Sequence, residues 1–254
     1  MSDLSRENPL GRFTGLASGY ARHRPGYPDS VLSYLTRRTG LCRGAQVVDV
    51  GSGSGISSRW LCEAGFEVIG VEPNDEMRAK AESESRENLI YQSGTAEATG
   101  LPDGCCDLVV AAQAFHWFDP VPTFREFTRI LRDGGFVALI WNERDESDAF
   151  THAVGEVIRT APDALRVESA RMSASQSLHE SELFEESETT HYSHEQIVDE
   201  EGLIGRVLSA SYVPREGEAK DIFVEKLRRI YFEHQTNGIV TIHYQTTMHL
   251  ARRA

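Results

Sequence analysis

The sequence has no long apolar run, and its first residues are mostly polar. None of its uninterrupted hydrophobic stretches approaches the ~18 residues that a membrane-spanning helix needs. Residues 1–7 are polar, whereas a secretory signal peptide would carry an apolar core close to this position. We therefore expect a cytoplasmic protein that does not associate with membranes.

Positive charge is also scarce. The 254 residues contain 26 Lys and Arg against 39 Asp and Glu, which gives a formal net charge of -13. Nucleic acids and anionic lipids bind proteins through Lys and Arg that displace counterions, so we expect neither as a partner. The four cysteines form no C-x-x-C pair: Cys42, Cys62, Cys105 and Cys106. We interpret them as free thiols of a reducing compartment and expect no metal site.

The hydrophobic pattern between residues 45 and 142 alternates between two periods. Short apolar runs predict strands at 45–50, 66–72, 88–92, 107–112 and 136–141. Helical spacing predicts helices at 56–64, 75–85 and 121–131. Strands that alternate with helices of this length form right-handed βαβ units, so we expect a parallel sheet covered on both faces.

The flanking segments add further elements. Helices are predicted at 29–38, 149–160, 196–208 and 219–234, and a strand at 184–191. Residues 238–245 alternate apolar and polar, which is typical of an edge strand. The predicted fold is therefore α/β and Rossmann-like: a doubly wound, mostly parallel sheet of about seven strands with an antiparallel edge strand. Helices cover both faces, with helical additions in the C-terminal half.

A glycine-rich loop follows the first predicted strand. Gly51, Gly53 and Gly55 allow a sharp turn and a close approach of backbone to ligand, and the helix that follows directs its free N–H groups to the same place. A dinucleotide-binding loop would need a glycine where Ile56 stands. A phosphate-binding P-loop would need a lysine, and none is near. These differences disfavour a nicotinamide-dependent oxidoreductase, which we keep as a minor alternative.

An acidic residue ends the second predicted strand. Glu72 lies 21 residues after Gly51. Neighbouring strand ends in a parallel sheet place such a carboxylate beside the loop, where it can accept two hydrogen bonds from a ribose diol. The alternative interpretation of Glu72 is a solvated glutamate at a strand end.

These residues resemble the class I S-adenosylmethionine-dependent methyltransferases. The resemblance covers residues 48–55, the turn at 71–74, the segment 94–102, the strand and loop at 107–117, and the turn at 134–136. It implies S-adenosylmethionine as cofactor, S-adenosylhomocysteine as product, and methyl transfer as the reaction. The cofactor contacts it implies are Tyr20, Arg24, Asp49, Gly51, Ser52, Gly53, Gly55, Glu72, Pro73, Met77, Thr95, Ala96, Glu97, Gln113, Ala114 and Phe115.

The segment 113–119 is similar to the small-molecule methyltransferases of the trans-aconitate type, and the aromatic and arginine-rich stretch 13–28 is similar to the lid of that group. This similarity implies a single domain over 1–254. It would consist of a lid and helix at 1–44, a cofactor-binding core at 45–142, and the rest of the sheet with a helical acceptor-site cap at 143–254. Acceptor contacts are expected from Arg22, Tyr27, His116, Trp117 and Trp141.

The acceptor chemistry stays open at this stage. A carboxylate arrives ionised and needs no base, whereas a hydroxyl or an amine must lose a proton. His116 is the candidate catalytic residue, either as that base or as a hydrogen-bond donor to an anionic acceptor. A packing role against adenine is the simpler alternative for His116. A second class of function also remains, a catalytically inactive module that binds the cofactor as a sensor or partner.

Overall fold

The computed structural model describes residues 22–254, and a seven-stranded sheet forms its centre. The strands are β1 (Gln46–Val50), β2 (Glu67–Val71), β3 (Leu89–Gln92), β4 (Cys106–Ala112), β5 (Leu131–Arg144), β6 (Phe184–Val198) and β7 (Val240–Arg253). Their order across the sheet is β3-β2-β1-β4-β5-β7-β6. Strands β1 to β5 run parallel, and β7 is antiparallel to both of its neighbours. The predicted Rossmann-like α/β class is confirmed.

Helices cover both faces of this sheet. They are α1 (Asp29–Thr39), α2 (Ile56–Glu63), α3 (Asp75–Glu82), α4 (Pro120–Ile130), α5 (Ala149–Arg159), α6 (Ala164–His179), α7 (Glu200–Leu208) and α8 (Gly217–His234). Successive residues of β4 show the two-sided burial: Leu108 and Val110 pack with α1 and α2, whereas Val109 and Ala111 pack with α4 and α6. This burial on both faces explains why central strands of this sheet are continuous apolar runs.

The position of the last strand corrects the sequence prediction. The tail was expected at the sheet edge, but β7 lies between β5 and β6, and β6 is the edge. Burial agrees with this order, because Met248 and Leu250 are almost fully buried while alternate residues of β6 are exposed. The alternation at 238–245 covers only the first part of β7, whose buried continuation to Arg253 lies beyond the predicted strand.

Two further differences lie in the C-terminal half. Strand β6 continues to Val198, so α7 begins at Glu200 rather than at residue 196. The helix α6 was not predicted, because it has many serines and buries only a few residues along its length: Ala164, Val167, Ala174 and Leu178. It nevertheless covers the loop after β4, where Val167 packs against Trp117. Within residues 22–254, every helix is too short or too polar to cross a membrane.

Candidate cofactor and acceptor site

The glycine loop turns sharply at the end of β1. Gly51, Gly53 and Gly55 have positive φ angles of 71°, 55° and 84°, a region in which residues with a Cβ are strained. A Cβ at Gly51 would lie 2.7 Å from the Cβ of Ala114 and 2.9 Å from the ring of Phe118. Both the conformation and the space at this position therefore require glycine, which keeps one wall of the site bare.

Asp49 lies beneath the loop rather than on the surface of the site. Its Oδ2 atom accepts hydrogen bonds from the hydroxyls of Ser57 and Ser58, at 2.7 and 2.6 Å, which ties the loop to the first turn of α2. Burial raises the pKa of the Asp49 carboxyl to about 6, although the two serine hydroxyls act in the opposite direction. The second oxygen, Oδ1, is buried and has no hydrogen-bond partner among residues 22–254.

Glu72 follows β2 directly and reaches the loop because β1 and β2 are neighbours in register, with Val50 opposite Val71. Its Oε2 atom accepts a hydrogen bond from the Gly53 N–H, and its Oε1 atom accepts one from the Asn74 N–H, both at 2.9 Å. Burial raises the pKa of Glu72, while these backbone donors lower it. Each carboxylate oxygen has further lone pairs and can accept another hydrogen bond.

A cavity of about 520 Å³ opens beside the loop and Glu72. This volume lies in the range of small-molecule and cofactor sites. The predicted site residues that line it are Arg24, Tyr27, Gly51, Ser52, Gly53, Glu72, Pro73, Met77, Thr95, Ala96, Glu97, Gln113, Ala114 and Trp117. Residues from the ends of β1, β2 and β4 thus meet at one edge of the sheet, as binding residues of open α/β sheets do.

Several predicted site residues lie elsewhere. Phe115 is fully buried in the core, where its ring stacks on Phe124 at 4.9 Å, so it does not line the cavity. Gly55 directly precedes α2 and does not line the cavity. Arg22 is an exposed residue whose guanidinium lies 3.4 Å from Glu201. Tyr20 and the part of the expected N-terminal lid up to residue 21 lie outside the described residues.

His116 and Trp141, two of the expected acceptor contacts, form a buried pair. Neither lines the cavity, although Trp117, which follows His116, does. His116 belongs to a short 3₁₀ turn, Phe115–Trp117, that follows β4. The indole Nε1 of Trp141 donates a hydrogen bond to His116 Nδ1 at 3.3 Å. Burial lowers the pKa of His116 well below its usual value, and the charges of Arg171 and Arg24 lower it further.

Sequence reasoning did not assign five polar residues of the cavity wall to the site: Ser54, Ser57, Asp119, Asn142 and Arg206. Asn142, near the end of β5, donates to the Gly26 carbonyl at 2.9 Å and accepts from the Thr246 hydroxyl at 2.7 Å. Arg206 reaches the cavity from α7, and its Nε donates to the Tyr244 hydroxyl at 3.0 Å. Asn142 could have been predicted, because polar residues near the ends of parallel strands often face the binding site. Arg206 could not, because an arginine near the end of a helix is not by itself typical of a binding site.

The cavity has charges of opposite sign at different positions. Glu72, Glu97 and Asp119 are acidic lining residues, and Arg24 and Arg206 are basic ones. Both arginines also act on Tyr212, together with two further arginines that do not line the cavity. Burial alone would raise the pKa of Tyr212, but nearby arginines bring it below its usual value: Arg171, Arg24, Arg144 and Arg206.

Arg144 and Arg171 differ in how their charges are balanced. Arg144 pairs with Glu168 at 2.5 Å and with Glu146 at 3.3 Å. The Nε atom of Arg171, in contrast, is buried and has no hydrogen-bond partner in the described part of the chain. Within the described residues, one guanidinium nitrogen near Tyr212 is therefore left without a hydrogen-bond acceptor.

The sheet order, the glycine loop and its carboxylate define the class I S-adenosylmethionine-dependent methyltransferase fold. Residues 48–139 match the family described as the methyltransferase domain. The match covers residues 48–139 only, and S-adenosylmethionine is the cofactor of the family that it matches. The site suits that cofactor, since the bare loop, the acceptor oxygens of Glu72 and the hydroxyls of Ser52 and Ser54 meet at one cavity. Both hydroxyls are buried and have no hydrogen-bond partner within residues 22–254.

The chain is also similar to individual methyltransferases. The chain is 34% identical over 162 residues to an uncharacterized methyltransferase of Mycobacterium tuberculosis, covering 64% of this chain and 65% of the relative. It is 31% identical over 130 residues to the malonyl-[acyl-carrier protein] O-methyltransferase of Pectobacterium atrosepticum, covering 51% and 49%. The chain thus spans less than two thirds of each of these relatives.

One solved structure is similar to this protein over most of the chain. It is described as a type II methyltransferase from Anaeromyxobacter dehalogenans, with 25% identity and a TM-score of 0.62. The superposition covers 91% of this chain and 96% of that one. The likeness therefore includes the C-terminal strands and helices outside the matched domain.

Proposed function

We propose that the protein transfers a methyl group from S-adenosylmethionine to a small-molecule acceptor. The observation that carries this proposal is the cavity of about 520 Å³ that adjoins both the glycine loop and Glu72. When bound, the cofactor supplies a methyl group on a positively charged sulfur. The protein's task in such a reaction is to align the partners and to exclude water.

The residues of the cavity divide this task between them. Glu72 would accept hydrogen bonds from the ribose hydroxyls, as its two oxygens are held in place by the Gly53 and Asn74 N–H groups. Met77, Thr95, Ala96 and Glu97 line the cavity and would contact the adenine. The loop itself would approach the methionine portion closely, since no side chain stands in the way at Gly51.

We infer further that the acceptor is an anion, with a carboxylate as the favoured group. Arg24 and Arg206 line the cavity, and Arg171 adds a positive charge near Tyr212. The Nε atom of Arg171 has no hydrogen-bond partner among residues 22–254. Guanidinium groups suit carboxylates because they donate paired hydrogen bonds. The similarity of residues 113–119 to the trans-aconitate type and a relative named for O-methylation of a malonyl group support the same class. The net charge of -13 disfavours nucleic acid as the acceptor.

The test is the release of S-adenosylhomocysteine from S-adenosylmethionine in the presence of acceptor panels. Three panels would contain small carboxylic acids, neutral alcohols and phenols, and amines, each at the same concentration. We expect turnover with carboxylic acids above the rate without acceptor. Cofactor binding by calorimetry with no turnover on any panel would instead favour the inactive binding module. Turnover confined to the amines would contradict the anionic acceptor while leaving methyl transfer intact.

A further inference from the structure

The contact between Trp141 and His116 determines which nitrogen of His116 carries a proton. Trp141 follows Ile140, which pairs with Ala112 at the end of β4, so the indole is fixed beside the 3₁₀ turn that carries His116. Trp141 is 2% exposed and His116 is 6% exposed. The hydrogen bond of 3.3 Å between Nε1 and Nδ1 is therefore shielded from water on both sides.

An indole nitrogen can donate a hydrogen bond but cannot accept one. The partner atom, Nδ1 of His116, must therefore present its lone pair to Trp141. A neutral imidazole has one protonated nitrogen, so the proton of His116 lies on Nε2. The only polar group that His116 can then offer to a ligand is the Nε2–H donor.

The surroundings of His116 also oppose a second proton. Protonation of Nδ1 would bring two N–H groups face to face and break the bond to Trp141. In the described part of the chain, the charged groups that act on His116 are Arg171 from α6 and Arg24 from the segment before α1, and both are cations. His249 of β7 packs edge-on against Trp141 at 5.7 Å, and burial lowers its own pKa to about 4. Trp141 is thus flanked on that side by a neutral ring at physiological pH.

We propose that Trp141 is a positioning residue that holds His116 as its Nε2–H tautomer, so that His116 donates a hydrogen bond to the acceptor and does not take a proton from it. This inference rests on the proposed function for the identity of the acceptor. It distinguishes the two roles considered for His116 from the sequence, because a base would need a free lone pair that the Trp141 contact occupies. It also agrees with an anionic acceptor, which needs donors and no base.

Nitrogen-15 NMR of histidine-labelled full-length protein tests the tautomer without any activity assay. From pH 5 to pH 8, the His116 signals should remain those of a neutral ring protonated at Nε2. Trp141→Phe removes the donor and should allow the Nδ1–H form or a normal titration to appear. An Nδ1–H tautomer in the wild type, or a wild-type titration near the usual pKa of about 6.5, would overturn the proposal.

Kinetics with the acceptor then test the consequence for function. In His116→Gln the side-chain amide can replace the Nε2–H donor, whereas in His116→Asn it can replace only the Nδ1 position. We expect an acceptor KM within about 5-fold of wild type for Gln and raised about 10-fold or more for Asn, since one hydrogen bond to a charged group is worth about 1.5–3 kcal/mol. Equal inactivity of both variants, with a wild-type pH profile that titrates near pH 6.5, would refute the donor role. If no acceptor is turned over at all, the proposed function fails while the NMR result still decides the tautomer.

Discussion

The substitution Glu72→Ala tests how the site holds its cofactor. The Glu72 carboxylate is held by two backbone hydrogen bonds of 2.9 Å, from Gly53 and Asn74, and can accept two more from a ribose diol. Loss of these two charge-assisted bonds should weaken S-adenosylhomocysteine binding by about 1–3 kcal/mol, which is about 5- to 150-fold in Kd. Titration calorimetry at neutral pH measures this change directly.

Two further variants separate charge from shape. Glu72→Gln keeps the size of the side chain but replaces one acceptor oxygen by a donor, so it should lose most of the same affinity. Glu67→Ala removes an exposed glutamate at the opposite end of β2 and should leave Kd unchanged. Thermal unfolding of each variant checks that the loop is intact, because two N–H groups lose their partner. A folded Glu72→Ala protein that binds within 2-fold of wild type would refute the account of the ribose contact.

Other perturbations address the loop, the buried acid and the acceptor. Gly51→Ala should abolish binding of S-adenosylhomocysteine, since its Cβ would lie 2.7 Å from the Cβ of Ala114. The control is Gly40→Ala, at a φ of 72° with no atom close by, which should lower only the melting temperature. Equal affinities of the two variants for S-adenosylhomocysteine would contradict this. The Asp49 pKa, raised by burial from 3.8 to about 6, means that the folded state holds the proton more tightly. Stability should then fall as pH rises from about 4 to about 6, by about 3 kcal/mol. In Asp49→Asn, the free energy of unfolding measured with urea should not show this fall between pH 4 and pH 6. The same fall in the variant as in the wild type would contradict the raised pKa of Asp49. Arg171→Gln should raise the acceptor KM about 10-fold or more and leave the affinity for S-adenosylhomocysteine unchanged. Arg229 is exposed, so Arg229→Gln should change neither quantity. Similar effects of the two substitutions would exclude a specific role for Arg171.

The first five strands could be predicted because their signal is local. Each contains a short apolar run, and the run of β1 stops at Gly51. The C-terminal half was harder, because its strands are defined by distant partners. The end of β6 pairs with the start of β7, with Val198 opposite Val240, and this pairing overrides the helical spacing that led to a helix from residue 196.

The cofactor part of the site followed from spacing, whereas the acceptor part did not. The distance from Gly51 to Glu72 reflects one βαβ unit, so the sequence alone brings the two together. Arg206 reaches the cavity only because α7 packs beside β7, which no local pattern indicates. The sequence also could not show which aromatic residues after β4 face the cavity. The 3₁₀ turn directs Phe115 into the core, whereas Phe118 lines the cavity.

A crystal structure of the full chain with S-adenosylhomocysteine tests the central claim most directly. The ligand should occupy the cavity beside β1, with its ribose hydroxyls on the Glu72 carboxylate and its amino-acid end against the loop from Gly51 to Gly55. A ligand bound elsewhere, or a cavity that stays empty at saturating ligand, would contradict the assignment of this site.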